Sequence, residues 1–189
     1  MLLRTLGLAC VIGFASVAVA DEETKTIEIA GGKLVLEVPK EWKKEQPKSR
    51  IVEFEFSAPA EKDEKTKAED RARITIMASG GGVEANLDRW YGQFEQPDGK
   101  ATKDVAKVED FEAAGQKIHY VDIKGTYKDS MGAGPFSGRP PVLRKDHRML
   151  GAIIETEAGD YYLKITGPTE LLDDLDKGFR EMLKGLKAK

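Results

Sequence analysis

The chain has 189 residues, with 33 acidic against 30 basic side chains and a formal net charge of −3. A mildly acidic chain with interleaved signs excludes general affinity for nucleic acid or an anionic membrane surface. The one cysteine, Cys10, falls within the first twenty residues, so everything after it is without disulfide or thiolate chemistry.

Those first twenty residues read as a secretory signal. Arg4 supplies the positive end, residues 6–17 the apolar stretch, and Ala18-Val19-Ala20 the small-x-small cleavage site before Asp21. The apolar stretch falls short of the roughly 20 residues a spanning helix needs. A lipoprotein signal would want an aliphatic residue where Gly7 stands and a polar turn soon after Cys10, but Val11-Ile12-Gly13-Phe14 follows. Cleavage removes Arg4 as the only charge and takes the net from −3 to −4. Residues 21–189 are then expected to form one exported domain, periplasmic or secreted. They contain no second apolar stretch and hence no integral membrane segment. A domain of about 150 residues buries close to 70% of its unfolded surface without staples, so the missing disulfides are no obstacle.

In chain order, residues 26–29 make a short strand, and Gly31-Gly32 a turn into residues 33–38 (KLVLEV), where Leu34, Leu36 and Val38 share one face. Pro39 stops that strand, and Trp42 follows in a loop. Residues 51–57 alternate again, with Val52, Phe54 and Phe56 inward and Glu53 and Glu55 towards solvent. Residues 57–71 are a charged loop without large apolar side chains. Residues 72–79 (ARITIMAS) return to a strand, and Gly80-Gly81-Gly82 leads into a helix. Val83, Leu87, Trp90, Tyr91 and Phe94 form its stripe. Val105 and Val108 point to an edge strand running into Phe111. Residues 116–127 (QKIHYVDIKGTY) make a long strand, residues 129–145 a Gly/Pro-rich loop, and residues 148–157 a strand apolar on both faces, as expected between two layers.

The final forty residues organise the rest. Two strands meet at Ala158-Gly159, and Pro168 opens a helix whose Leu171, Leu172, Leu175, Phe179, Met182, Leu183 and Leu186 lie on one face. Its charged side, including Asp173, Asp174 and Asp176, is expected to be solvated. Such a helix needs a sheet to lie on. The fold class expected is therefore α+β: a mostly antiparallel sheet of about seven strands with two amphipathic helices packed on it, the longer one C-terminal.

At two places the chain resembles the PsbP-like superfamily. Val38-Pro39-Lys40-Glu41-Trp42 is similar to its strand–Pro–Trp corner, and YYLKITGPTELLDDLDKGFREMLKGLK, from Tyr161 onward, is similar to its strand, Gly-Pro and closing helix. The resemblance covers about residues 33–187 and implies an antiparallel sheet sandwiched by helices. Members include lumenal photosystem accessory proteins, a Ran-binding protein and exported bacterial proteins. They share no catalytic constellation, so the resemblance implies no functional residue.

The residues themselves suggest no enzyme. His119 and His147 have no metal-ligand spacing, and the cations around His147 oppose a divalent metal, so no cofactor or metal is expected. His119 reads as a hydrogen-bonded histidine of the core or sheet end. Ser137 in Gly134-Pro135-Phe136-Ser137-Gly138 is one place late for a nucleophile elbow. The glycine run before the first helix has no P-loop lysine, and Glu84 fills the anion position at that helix start.

What remains is the loop at 129–145, since long loops in compact domains are either functional or disordered. It carries Met131 and Phe136 and runs into the basic cluster Arg139, Arg144, Lys145, His147 and Arg148. These seven residues are the candidate binding site, for a protein or other anionic partner. The function expected is that of a non-enzymatic binding or accessory domain acting by surface contact. The alternative is a small-molecule or hydrolytic function in a helix–sheet pocket, using Trp42, Trp90 or His119.

Overall fold

The computed structural model describes residues 25–59, 67, 70–130 and 140–189. The signal read in residues 1–20 and most of the charged loop lie outside the described residues.

The alternation of KLVLEV produces the expected hairpin. β1 (Thr26–Ile29) pairs antiparallel with β2 (Leu34–Glu37), Ile29 opposite Leu34 and Ile27 opposite Leu36. Ala30, Gly31 and Gly32 all take left-handed backbone between the strands, with φ of 55°, 66° and 85°. Glycine meets that demand at two of the three places without steric cost. A last strand, β11 (Lys187–Ala188), joins the other side of β2, so this three-stranded sheet ties the first described strand to the last.

The main sheet is antiparallel and eight-stranded. β3 (Lys43–Glu45), β4 (Phe54–Ala58) and β5 (Ala72–Ser79) occupy one side. The centre is made by β10 (Asp160–Pro168), β9 (Val142–Ile154) and β8 (Gln116–Asp129), in the order β3-β4-β5-β10-β9-β8. The far edge of β8 is shared: β6 (Phe94–Glu95) takes its second half and β7 (Lys107–Ala113) its first.

Each sheet face has its own apolar layer. Ile74, Ile76, Leu150, Ala152, Leu163 and Ile165 meet Leu172, Leu175, Phe179, Met182 and Leu183 of α3 (Thr169–Lys184), together with the small sheet. Each of those side chains except Ala152 contributes about 1.5–3 kcal/mol on burial. Trp42 is fully buried against Phe56 and Phe179, 5.9 and 6.3 Å between ring centroids, so the corner after Pro39 is a core element and not a surface loop. On the second face, Val121, Ile123, Met149, Ile153 and Tyr162 meet Leu87 and Trp90 of α1 (Gly82–Tyr91) and Phe94 beyond it. The architecture is α+β, with antiparallel strands and the long helix at the C-terminus.

Several boundaries differ from the sequence expectation. α1 ends at Tyr91, and Phe94 reaches the same apolar layer from β6. Val105 closes the short helix α2 (Thr102–Val105), and the edge strand begins only at Lys107. The largest correction concerns the Gly/Pro loop. Asp129 and Val142–Lys145 belong to strands, because β9 continues past the end of β10 as an arm laddered to β8, which β6 still flanks at Tyr127. Its ladder pairs Tyr127 with Arg144, Lys128 with Leu143 and Asp129 with Val142, after a bulge between Gly125 and Tyr127. Residues 131–139 lie outside the described residues.

Candidate functional site

Of the seven residues the sequence put forward, Met131, Phe136 and Arg139 lie outside the described residues. The other four share β9 but not one surface. Arg144 and Lys145 sit on the projecting arm, where Arg144 Nε donates to Asp129 Oδ2 across the hairpin at 2.7 Å. Lys145 is exposed and makes no ion pair among the described residues. His147 stacks flat on Tyr127, 6.4 Å between centroids and 7° between planes, and its Nδ1 lies 2.9 Å from the Lys145 carbonyl oxygen. Just before Arg144 come Val142 and Leu143, each 56% exposed. The Gly/Pro-rich composition around this apolar pair hides it in the sequence. In a strand, consecutive side chains face opposite ways, so one apolar residue shows on each side of the arm.

Arg148 does not belong to that surface. It is 5% exposed and anchors α3 to the sheet. Nε and Nη2 bind Asp122 bidentately at 2.8 and 3.1 Å. Nη1 donates to Asp173 Oδ1 at 2.7 Å and to the Leu172 carbonyl at 3.1 Å, and Nη2 also donates to Asp176 Oδ2 at 2.8 Å. Those five contacts use all five guanidinium N–H groups. Asp176 Oδ1 in turn accepts from Tyr120 Oη at 2.8 Å and from Arg180 Nε at 2.9 Å. Arg180 lies 3.8 Å over the Tyr120 ring and grips Glu109 of β7 with its other two nitrogens. The helix side expected to be solvated thus contains a half-buried ionic seam. Burial pushes the Asp176 carboxyl up, but the bonds from Tyr120, Arg148 and Arg180 outweigh it and hold it below the usual range. For Tyr120, burial and then the Asp176 bond push the phenol strongly up.

His119 is buried at the sheet end, as the sequence suggested. Its ring nitrogens lie 2.8 Å from Asp110 Oδ1 and 2.7 Å from Glu155 Oε1, with Asp110 directly opposite it on β7. Among the described residues, no cluster of histidine and carboxylate groups has the makings of a metal centre. The glycine run is occupied by a side chain: Asn86 Nδ2 donates to the Gly82 carbonyl and to Tyr162 Oη, both at 2.7 Å, which fixes the turn into α1. A surface depression of about 550 Å³ lies between α1 and α2, lined by Asp88, Tyr91, Gln96, Lys100 and Lys103 among others. Its charges are of both signs and converge on no common point.

A polar floor that the sequence did not reveal lies on the second sheet face, past the end of α1. Glu55, Thr75 and Lys164 are successive cross-strand neighbours on β4, β5 and β10, and Arg73 is one row away. Glu55, expected in solvent, is buried: Arg73 holds it bidentately at 2.8 and 3.0 Å, and the Lys48 amide donates to it at 2.9 Å. Burial pushes the Glu55 carboxyl up, and the bonds from Arg73 and Lys48 more than reverse that. Lys164 donates to Gln93 Oε1 at 3.1 Å and forms no ion pair among the described residues. Burial first, then Arg73 and Arg89, push its ammonium down to about 8, against a smaller upward pull from Asp129.

No protein-family model matches the chain, and no curated protein matches it. Solved structures do. The chain superposes on cyanobacterial PsbP (CyanoP) of Synechocystis sp. PCC 6803 with a TM-score of 0.50, at 12% identity, over 97% of this chain and 99% of that one. The fold is PsbP-like. It is also similar to LpqN of Mycobacterium tuberculosis, involved in cell envelope biogenesis (TM-score 0.46, 10% identity, 87% and 90% covered). A third similar structure is the Ran-binding protein Mog1p of Saccharomyces cerevisiae (TM-score 0.40, 11% identity, 87% and 95% covered). At such identities the PsbP-like likeness carries architecture alone. No helix among the described residues is long and apolar enough to cross a membrane.

Proposed function

We propose that this chain is an exported binding or accessory domain that captures an acidic segment of a protein partner on its projecting β8–β9 arm. The observation that carries this reading is exposed Leu143 on the same side of its strand as exposed Lys145, where β9 runs on past the end of β10. An exposed apolar side chain beside a cation that has no ion pair among the described residues fits a partner segment that mixes apolar anchors with carboxylates. The bond from Arg144 to Asp129 ties the two strands of the arm together, and a pre-formed strand pair lowers the entropy lost on docking. The export reading rests on the signal-like residues 1–20, and an accessory role by surface contact is compatible with the PsbP-like fold. The test is a photo-crosslinking side chain placed at Leu143 in the full chain, in its native host. It is expected to trap a protein through an acidic segment, with a yield that falls as salt rises. Trapping nothing, or trapping a basic segment, would overturn the proposal.

A further inference from the structure

The arm leaves the polar floor past the end of α1 without a role, and that floor has the donors of a ligand site. Thr75 is 2% exposed, and its Oγ1 has no hydrogen-bond partner among the described residues. Buried hydroxyls are seldom left so, because each unmade bond costs about 1–3 kcal/mol. Thr75 stands directly opposite Lys164 in the β5–β10 ladder, which brings their Cβ atoms within roughly 5.5 Å of each other on one face. Of the three Lys164 ammonium protons, one is engaged among the described residues, by Gln93. Arg73, one row on, spends Nε and one Nη2 proton on Glu55 and keeps its Nη1 edge.

We infer that this floor binds the carboxylate of a small molecule, with the Lys164 ammonium, the Thr75 hydroxyl and the outer edge of Arg73 as donors. Two Lys164 protons, the Thr75 hydroxyl and the two Nη1 protons of Arg73 are enough for the roughly four lone-pair sites of a carboxylate, with no bond now made displaced. The one acid within the row, Glu55, is already saturated by Arg73 and the Lys48 amide and does not compete. Other charged or titratable groups face Lys164 from all sides. Arg73 on β5 and Arg89 on α1 add positive field, while Asp129 on β8 opposes them. Asp129 is itself paired with Arg144 of β9, and Tyr127 and His147 stack together farther along the same face. The field at the floor is net positive. A bound carboxylate would raise the lysine's proton affinity. By linkage, affinity is therefore full below pH 8 and declines as Lys164 loses its proton above it.

The test follows the side-chain Cε resonance of Lys164 by NMR in the full chain, titrated separately with acetate, hexanoate and inorganic phosphate. Both carboxylates are expected to shift it saturably at pH 7, with affinity roughly tenfold weaker at pH 9, where a lysine titrating near 8 is about nine-tenths neutral. Thr75→Val should weaken binding about fivefold, the worth of one hydrogen bond, without lowering the melting temperature. Thr75→Ser, which keeps the hydroxyl, should retain parental affinity. Lys164→Met should abolish carboxylate binding, read from the Thr75 amide resonance. The assignment fails if carboxylates leave Lys164 unshifted at pH 7, if phosphate alone shifts it, or if Thr75→Val binds as the parent does.

Discussion

Arg148→Met separates a buried anchor from a surface cation. The guanidinium side chain is 6% exposed, and that of its bidentate partner Asp122 is 8%. Removing one member of a buried pair leaves the other charge uncompensated and typically costs 3–5 kcal/mol. Asp173 adds little, since it is half exposed and such pairs are worth at most about 1 kcal/mol. Asp176 keeps its bonds from Tyr120 and Arg180. The expected loss is therefore about 3–5 kcal/mol, a large share of the 5–15 kcal/mol that domains possess. Urea unfolding followed by circular dichroism should show the midpoint fall with an unchanged slope. The double variant Arg148→Met with Asp122→Asn should recover about 1–2 kcal/mol of the loss, since it no longer buries a lone carboxylate. An Arg148→Met protein within about 1 kcal/mol of its parent would refute the reasoning and return Arg148 to the surface.

Two further outcomes follow from packing and charge. A methyl group at Gly151 would lie 2.6 Å from Trp90 Cζ3 and 2.9 Å from Val121 Cγ1, so Gly151→Ala should destabilise by about 1–3 kcal/mol through overpacking under α1. A thermal melt checks it, and an unchanged midpoint would mean that α1 gives way freely. Acid should loosen α3: the folded-state pKa of Asp176 is depressed from 3.8, so its contribution is present above that value and is lost as pH falls through the lower folded one. Asp176→Asn should therefore show a shallower loss of stability than the parent below about pH 4.

Much of the fold could be read because its cause is local periodicity. The stripe of α3 reappears as buried Leu172, Leu175, Phe179, Met182 and Leu183, and the KLVLEV alternation as buried Leu34, Leu36 and Val38. The short elements β3, β6 and β11 carry no period in two or three residues and pair with a distant strand, while Gly/Pro-rich composition hides the facing ends of β8 and β9. The candidate site was legible only in part. Lys145 could be placed near a surface because charged Arg144 and Asp146 flank it directly. Arg148 looked like its companion but points into the seam with Asp122, 26 residues earlier, and Asp176, 28 later. A hint was available: Arg148 adjoins Met149 and Leu150, and Asp176 sits beside Leu172 and Phe179 on the helix, at the margin of the apolar stripe. Glu55 and Lys164 each fall at the polar beat of an alternating strand, which ordinarily means solvent. Only the ladder, which sets Glu55 beside Thr75 and Thr75 beside Lys164, turns two such beats into one floor.

The claim that the arm is the docking surface is tested most directly by crosslinking from Leu143 compared with the same photoreactive side chain at Ile51. Ile51 is 69% exposed, lies outside the arm and so controls for mere accessibility. The account predicts a discrete, salt-sensitive protein adduct from position 143 and none from position 51. Equal adducts from both positions, or an adduct from position 51 alone, would contradict it.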